Sequence, residues 1–165
     1  MKGKYVRLIH ELEPVFDEKS EILILGSFPS VKSRETGFYY GHPQNRFWRV
    51  LEQLYDSALL TTVEEKKQFL KEHHIALWDV IEQCDIIGSS DSSIKNVIPT
   101  AIDQILQETQ IKKIYVNGKT AERLYRKYTE KITKISAIVL PSTSPANASC
   151  SLDCLVDAWR ILLSN

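Results

Sequence analysis

The apolar run Ile22-Leu-Ile-Leu25 constrains this chain most: four successive apolar residues without polar alternation read as a buried strand. A helix-like pattern follows, with Phe47, Val50, Leu51 and Leu54 on one face. Read along the whole chain, the periodicities predict a helix over about 4–16, a strand over 21–26, helices over 44–56 and 63–73, and a strand over 75–80. A polar loop over 88–93 comes next, then a helix over 97–109, a strand over 112–117, a helix over 119–129, a strand over 135–140 and a helix over 151–163. The last helix is marked by period alone, with Leu152, Leu155, Val156, Trp159, Leu162 and Leu163 on one stripe. Alternation of strands and helices implies a parallel sheet covered on both faces. No linker, repeat or low-complexity tract divides the chain, so a single domain over 1–165 is expected.

A chain of 165 residues buries about two-thirds of its unfolded surface and needs no covalent staples. Its three cysteines, an odd number at unrelated spacings, argue against a disulfide framework and for a reducing, cytoplasmic setting. Cys150 and Cys154 lie one helical turn apart, and with only Cys84 besides they fall short of the four thiolates an iron–sulfur cluster needs. The charged N-terminus lacks the apolar stretch of a secretory signal, and no run reaches membrane-spanning length. Formal net charge is zero, which by itself speaks against a nucleic-acid partner. Locally the balance differs, because 112–134 holds eight basic residues against two acidic ones, and Lys32, Arg34, Arg46 and Arg49 surround the loop after the first strand. The 126–134 stretch reads as a solvated helix face, whereas Lys32, Arg34 and Arg46 suit either a surface or a phosphate.

In an open α/β sheet, ligands sit beyond the carboxyl ends of the strands. The loop leaving Ile22-Leu-Ile-Leu25 runs Gly26-Ser-Phe-Pro-Ser30 and then Gly37-Phe-Tyr-Tyr-Gly-His-Pro-Gln-Asn-Arg-Phe-Trp48, and it gathers an amide, an imidazole, two tyrosines and several hydroxyls. This segment resembles the mismatch-specific branch of the uracil-DNA glycosylase superfamily, whose corresponding stretch runs Gly-Ile-Asn-Pro-Gly and then Gly-Phe-Pro-Phe-Ala-His-Pro-Ala-Asn-Arg-Phe-Trp. Further resemblances follow in order at Ile114-Tyr-Val-Asn-Gly-Lys-Thr-Ala121 and Leu140-Pro-Ser-Thr-Ser-Pro-Ala-Asn147. Where the family carries a water-activating Asp or Asn two residues after the glycine, this chain has Phe28, which cannot hydrogen-bond a water. That departure, with Asn45 and the 141–147 loop, looks like the hypoxanthine-DNA (deoxyinosine) glycosylase branch.

The resemblance implies a three-layer α/β sandwich with a short central parallel four-stranded sheet flanked by helices. It implies a monofunctional glycosylase that hydrolyses the N-glycosidic bond of deaminated bases, deoxyinosine first and then uracil or xanthine, in base excision repair. Asn45 takes the catalytic role. Tyr40, aligned with the family's stacking phenylalanine, covers the base with help from Phe38, while Phe28 lines the pocket. Leu77-Trp-Asp-Val80 matches the superfamily's third motif, where Asp79 either accepts the N1–H of hypoxanthine or ties down a loop. Ser30, Lys32, Ser33, Arg46, Ser142, Thr143, Ser144 and Asn147 are the expected DNA contacts, the 141–147 loop being the one that pinches the backbone. The family's polar residue at the start of that loop is Leu140 here. Duplex DNA with a deaminated base is the implied partner of a monomer, without membrane, cofactor or metal.

Other readings of the same residues stay open. Phe28 and Leu140 remove both usual polar groups, which also suits a catalytically inactive damaged-DNA-binding module. Gly26-Ser-Phe-Pro-Ser-Val-Lys-Ser33 approaches a phosphate-binding loop, but the Cβ of Val31 obstructs the backbone nest. His42 fits a loop-fixing hydrogen-bonder or a catalytic imidazole. His10, read within an N-terminal helix among Leu and Glu, and His73 and His74, at the end of a charged helix, are read as structural or surface residues.

Overall fold

The computed structural model describes residues 3–88 and 90–164; Ser89 of the polar 88–93 loop lies outside the described residues. The first apolar run forms β2 (Ile22–Gly26) at the centre of a parallel sheet with β3 (Ile75–Asp79), β6 (Lys113–Asn117) and β7 (Ile138–Leu140), in the order β3-β2-β6-β7. Successive side chains of a strand point to opposite faces. Ile24, Ile75, Leu77 and Tyr115 therefore join one core, packed by α2 (Phe47–Leu54), α3 (Val63–Glu72) and α7 (Leu152–Trp159). Leu23, Leu25, Ala76, Ile114 and Val116 join the other, against α4 (Ile102–Glu108) and α5 (Lys119–Tyr128). Apolar residues on both strand faces are what make three layers out of one sheet.

The expected architecture is present, with one addition. β1 (Val6–Ile9), β4 (Ile81–Ile86) and β5 (Lys95–Pro99) form an antiparallel sheet in the order β1-β4-β5. This corrects two predicted helices. The 4–16 stretch is a strand followed by an irregular segment that meets the main sheet at a single bridge, Val15 to Leu77. Pairing of Val6–Ile9 with β4 satisfies its backbone, and Pro14 has no amide to give a helix. The helix expected over 97–109 starts only at Ile102, since Lys95–Pro99 pairs with β4. A short α1 (Val31–Thr36), unpredicted, is capped by Ser30 and stopped by Gly37 at φ 77°. A further short helix, α6 (Glu130–Thr133), follows α5, and the last helix gives way to a 3-10 turn over Arg160–Leu163. Among the described residues no helix is long and apolar enough to cross a membrane.

The two sheets meet at Val80. Its amide donates to the Gly26 carbonyl (2.9 Å), its carbonyl accepts the Thr100 amide (2.8 Å), and the chain passes from β3 to β4 without a turn. The buried Thr100 hydroxyl donates to the Asp79 carbonyl (2.7 Å) and contacts that of Val80 (3.2 Å). Asp79 is thereby fixed by both sheets. Thr100→Val, which leaves these carbonyls short of a donor, should cost about 1–3 kcal/mol. Urea unfolding should show a lower midpoint at unchanged slope. A midpoint equal to the parent's would mean the hydroxyl does not brace the junction.

Candidate active site

The carboxyl ends of all four parallel strands open on one cavity of about 320 Å³. The chain leaves β2 toward β3 on one side and β6 toward β7 on the other, so a crevice forms where the winding direction reverses. Gly26 and Phe28 line it after β2, Asp79 ends β3, Asn117 ends β6, and Ser142 to Ser144 follow β7. Tyr40, His42 and Asn45 enter from the long loop before α2.

That loop is tied by its own polar groups. The Ser30 hydroxyl accepts the Ser33 amide (3.1 Å) and donates to Ser33 Oγ (3.2 Å), which accepts the Gly41 amide (3.0 Å). His42 Nδ1 accepts the Gln44 amide (3.0 Å), a loop-fixing bond. Asn45 donates its backbone N–H to the His42 carbonyl (2.9 Å), and its Oδ1 accepts the Phe47 amide at the start of α2 (3.0 Å). The carboxamide is thus held in one orientation, with its amide nitrogen unpaired among the described residues.

Tyr40 has φ 53°, a left-handed conformation that a bulky residue rarely adopts. Its ring stacks on Phe47 with centroids 3.9 Å apart and planes 18° apart, so one face is already covered by protein. Its hydroxyl is buried without a hydrogen-bond partner among the described residues. Burial, and then the nearby Asp79 carboxylate, push this phenol well above its ordinary range. Asn117 opposes that shift, but its carboxamide is committed to Thr143, donating to Oγ1 (3.0 Å) and accepting the amide (3.1 Å).

The structure redistributes several expected roles. Asn45, Phe28, Tyr40, Asp79, Ser30, Lys32, Ser33, Ser142, Thr143 and Ser144 all line the cavity. Phe38 does not: it is buried against Trp48 (centroids 6.0 Å, planes 16°) and borders a second cavity, because successive residues Phe38 to Tyr40 point different ways. Arg46, expected as a phosphate contact, is engaged within the fold as a loop clamp. Its guanidinium donates to the carbonyls of Cys150, Ser144 (3.2 Å) and Asn147 (3.0 Å), and its amide donates to that of Thr143 (3.1 Å). Asn147 likewise serves the loop, donating to the Ser142 carbonyl (3.0 Å). Thr143 is fully buried, with its hydroxyl on Asn117, and Ser33 is buried beneath Gly41, so neither offers a free surface hydroxyl. Lys32 stays exposed, 3.4 Å from Glu35.

Two site residues escaped the sequence reading. Asn117 joins β6 to the 141–147 loop; a polar residue at a strand's carboxyl end, before Gly118, was its available signal. His10 had no such signal, since it was read within a helix that does not exist. Its Nε2 lies 2.8 Å from Asp79 Oδ2, and both side chains are almost wholly buried. Among the described residues, no cluster of three or more His, Cys, Asp or Glu side chains is arranged to hold a metal ion.

The family model described as the uracil DNA glycosylase superfamily matches residues 13–163, and this chain belongs to that superfamily. Within it, the chain is 42% identical over 84 residues to a protein named hypoxanthine DNA glycosylase from Methanosarcina barkeri, a match covering 50% of this chain and 53% of that one. A protein of the same name from Methanosarcina acetivorans is 46% identical over 81 residues, 48% of this chain and 51% of its own. The chain thus spans about half the length of the curated relatives it matches. The solution NMR structure of a Methanosarcina acetivorans protein, provisionally described as a uracil DNA glycosylase, superposes with a TM-score of 0.78 at 31% identity, covering 96% of this chain and 99% of that one.

Gly26 tests how tightly the site is built. A Cβ there would lie 2.5 Å from Asp79 Oδ1 and 3.2 Å from Tyr40 Oη. Gly26→Ala should therefore displace the carboxylate and destabilise the fold by about 1–3 kcal/mol, read from thermal or urea unfolding. Unchanged stability would show that Asp79 does not crowd this backbone.

Proposed function

We propose that the chain is a monofunctional DNA glycosylase that hydrolyses the N-glycosidic bond of a deaminated base in duplex DNA, deoxyinosine first. The observation that carries this reading is the immobilised Asn45 carboxamide at the edge of a cavity walled by Phe28, Tyr40 and Asp79. The names of the two hypoxanthine DNA glycosylase relatives support the same substrate class. A volume of about 320 Å³ suits one base rather than a duplex segment. The glycosidic bond is unreachable inside a stack, so the nucleotide is flipped out, at a cost of about a few kcal/mol.

Chemically the task is to guide a water to the anomeric carbon as the bond to the base breaks. The base leaves with the bonding electrons as the sugar develops oxocarbenium character; the water oxygen then bonds to the anomeric carbon, and the proton it loses passes through solvent to the departed base anion. Asn45 Oδ1 uses one lone pair on the Phe47 amide, and the second accepts from the water. An amide is a weak base, but a cationic transition state needs orientation more than nucleophilic push. Pro141 and Pro145 stiffen the loop that receives the phosphate backbone, and Arg46 holds it in place from beneath. Ser30, Lys32, Ser142 and Ser144 supply backbone contacts.

The rival reading, an inactive module that binds damaged DNA, draws on the apolar Phe28 and the buried Leu140. Oligonucleotides with a single deoxyinosine, deoxyuridine or deoxyxanthosine separate the two: base release supports the enzyme, and tight binding without release supports the module. Asn45→Ala should slow single-turnover base release at least ~100-fold with little change in DNA affinity. Wild-type release by this variant would remove Asn45 from the mechanism.

Simple hydrolysis also excludes a covalent enzyme–sugar intermediate. Lys32, the one lysine at the cavity among the described residues, is exposed and paired with Glu35. Nothing there desolvates an amine to make it a nucleophile. Borohydride should trap no protein–DNA adduct during turnover, and a trapped species absent from Lys32→Ala would replace hydrolysis with a lyase reaction.

A further inference from the structure

The buried pair His10–Asp79 has a geometry that the glycosylase reading alone does not use. Asp79 Oδ2 is taken by His10 Nε2 at 2.8 Å. Its Oδ1 has no hydrogen-bond partner among the described residues, and it is not one of the unpartnered atoms sealed away from the cavity that Asp79 lines. Gly26, opposite Asp79 in the parallel register, has no side chain to displace Oδ1, which packs so close to its backbone that a Cβ would lie 2.5 Å away. The imidazole is itself immobilised. Its backbone amide donates to the Glu82 carbonyl (2.7 Å), its ring meets Phe28 edge-on at 5.8 Å, and Tyr39 lies 6.2 Å away. A carboxylate gripped at one oxygen cannot rotate, so one acceptor is held toward the cavity.

Deamination changes the base edge in a way this arrangement detects. Adenine and cytosine present an amino donor beside an unprotonated ring nitrogen. Their deaminated products present a carbonyl acceptor beside a ring N–H. A fixed carboxylate oxygen accepts that N–H and repels the lone pair of the parent base. Guanine shares the lactam edge, so its rejection lies elsewhere in the pocket.

We propose that His10 is a positioning residue that holds Asp79 Oδ1 toward the base, and that the pair selects bases with a ring N–H on the lactam edge. The inference rests on the glycosylase reading above. It is tested by single-turnover base release from duplexes carrying one deoxyinosine or one 2′-deoxynebularine, a purine nucleoside with neither the carbonyl nor the ring N–H. Wild type should favour hypoxanthine. His10→Ala should lower that preference by about tenfold, nearly as much as Asp79→Ala, and the double variant should add little, since both remove one contact. His10→Gln, which keeps an N–H donor, should restore most of it. A purely structural role would slow both substrates together and leave the ratio unchanged, overturning the proposal while the glycosylase reading stands. Release of neither base by wild type would overturn both. Should His10→Ala not fold, Asp79→Asn reads the same geometry: with its carbonyl on His10, its amide faces the cavity, and preference should move toward nebularine by about tenfold or more. Retained wild-type preference there would likewise overturn the proposal.

Discussion

The contact on which the site depends is the close approach of the Asp79 carboxylate to the backbone of Gly26. Their strands are paired in register at these two residues, and a single methyl group on Gly26 would stand 2.5 Å from Asp79 Oδ1. The glycine is needed for room, not for an unusual φ. Because Asp79 is also the last residue before the chain crosses into the second sheet, its backbone is braced by Thr100 and its carboxylate by His10. Burying a carboxylate is unfavourable unless it is hydrogen-bonded. The three-stranded sheet can be understood as the frame that delivers the required donor, with β1 carrying His10 to within reach of β3.

The opposite wall solves a different problem, that of making an irregular loop rigid. The 141–147 loop has few ladder bonds, yet its carbonyls are collected by the Arg46 guanidinium, its Thr143 by Asn117, and the Pro141 carbonyl by the indole of Trp159 (2.9 Å). Each partner belongs to a separate packed element, or to its flank: α2, β6 and α7. A loop held this way loses little entropy when it meets a ligand, which is where preorganisation improves affinity. Arg46 therefore holds the loop's shape from within the fold. Charge alone suggested a phosphate contact, and the geometry directs all the guanidinium's recorded bonds inward.

Much of this was legible from the chain because it is local. β2, β6 and α7 announce themselves by apolar runs or period, and the His42-Pro-Gln-Asn-Arg-Phe-Trp48 stretch marks the loop whose Asn45 lines the cavity. What was not legible depends on distant pairing. Val6–Ile9 finds its partner in Gln83 to Ile86, more than seventy residues away, and Leu8, Leu12 and Val15 happen to fall at helix-compatible spacing. With β1 read as helix, His10 lost its direction and looked incidental. β4 was hidden for the opposite reason: it follows β3 with only Val80 between, so no turn residues mark the boundary. Phe38 and Tyr40 carry the same kind of side chain two positions apart, and only the backbone path decides which reaches the cavity.

Tyr40 shows how the two walls are balanced. A tyrosine in the left-handed region costs about 1–3 kcal/mol, and its unpartnered hydroxyl adds a desolvation cost of about the same size. Stacking on Phe47 returns part of this, and Phe47 is fully buried between Trp48 and Trp159. Such an expense persists only where the surrounding packing over-determines it, and here it puts a rigid aromatic wall against Gly26 and Asp79. With one face committed to Phe47, the ring is better suited to close the cavity than to swing over a base. Phe28, partly buried, lines the same cavity edge-on to His10, the residue hydrogen-bonded to Asp79.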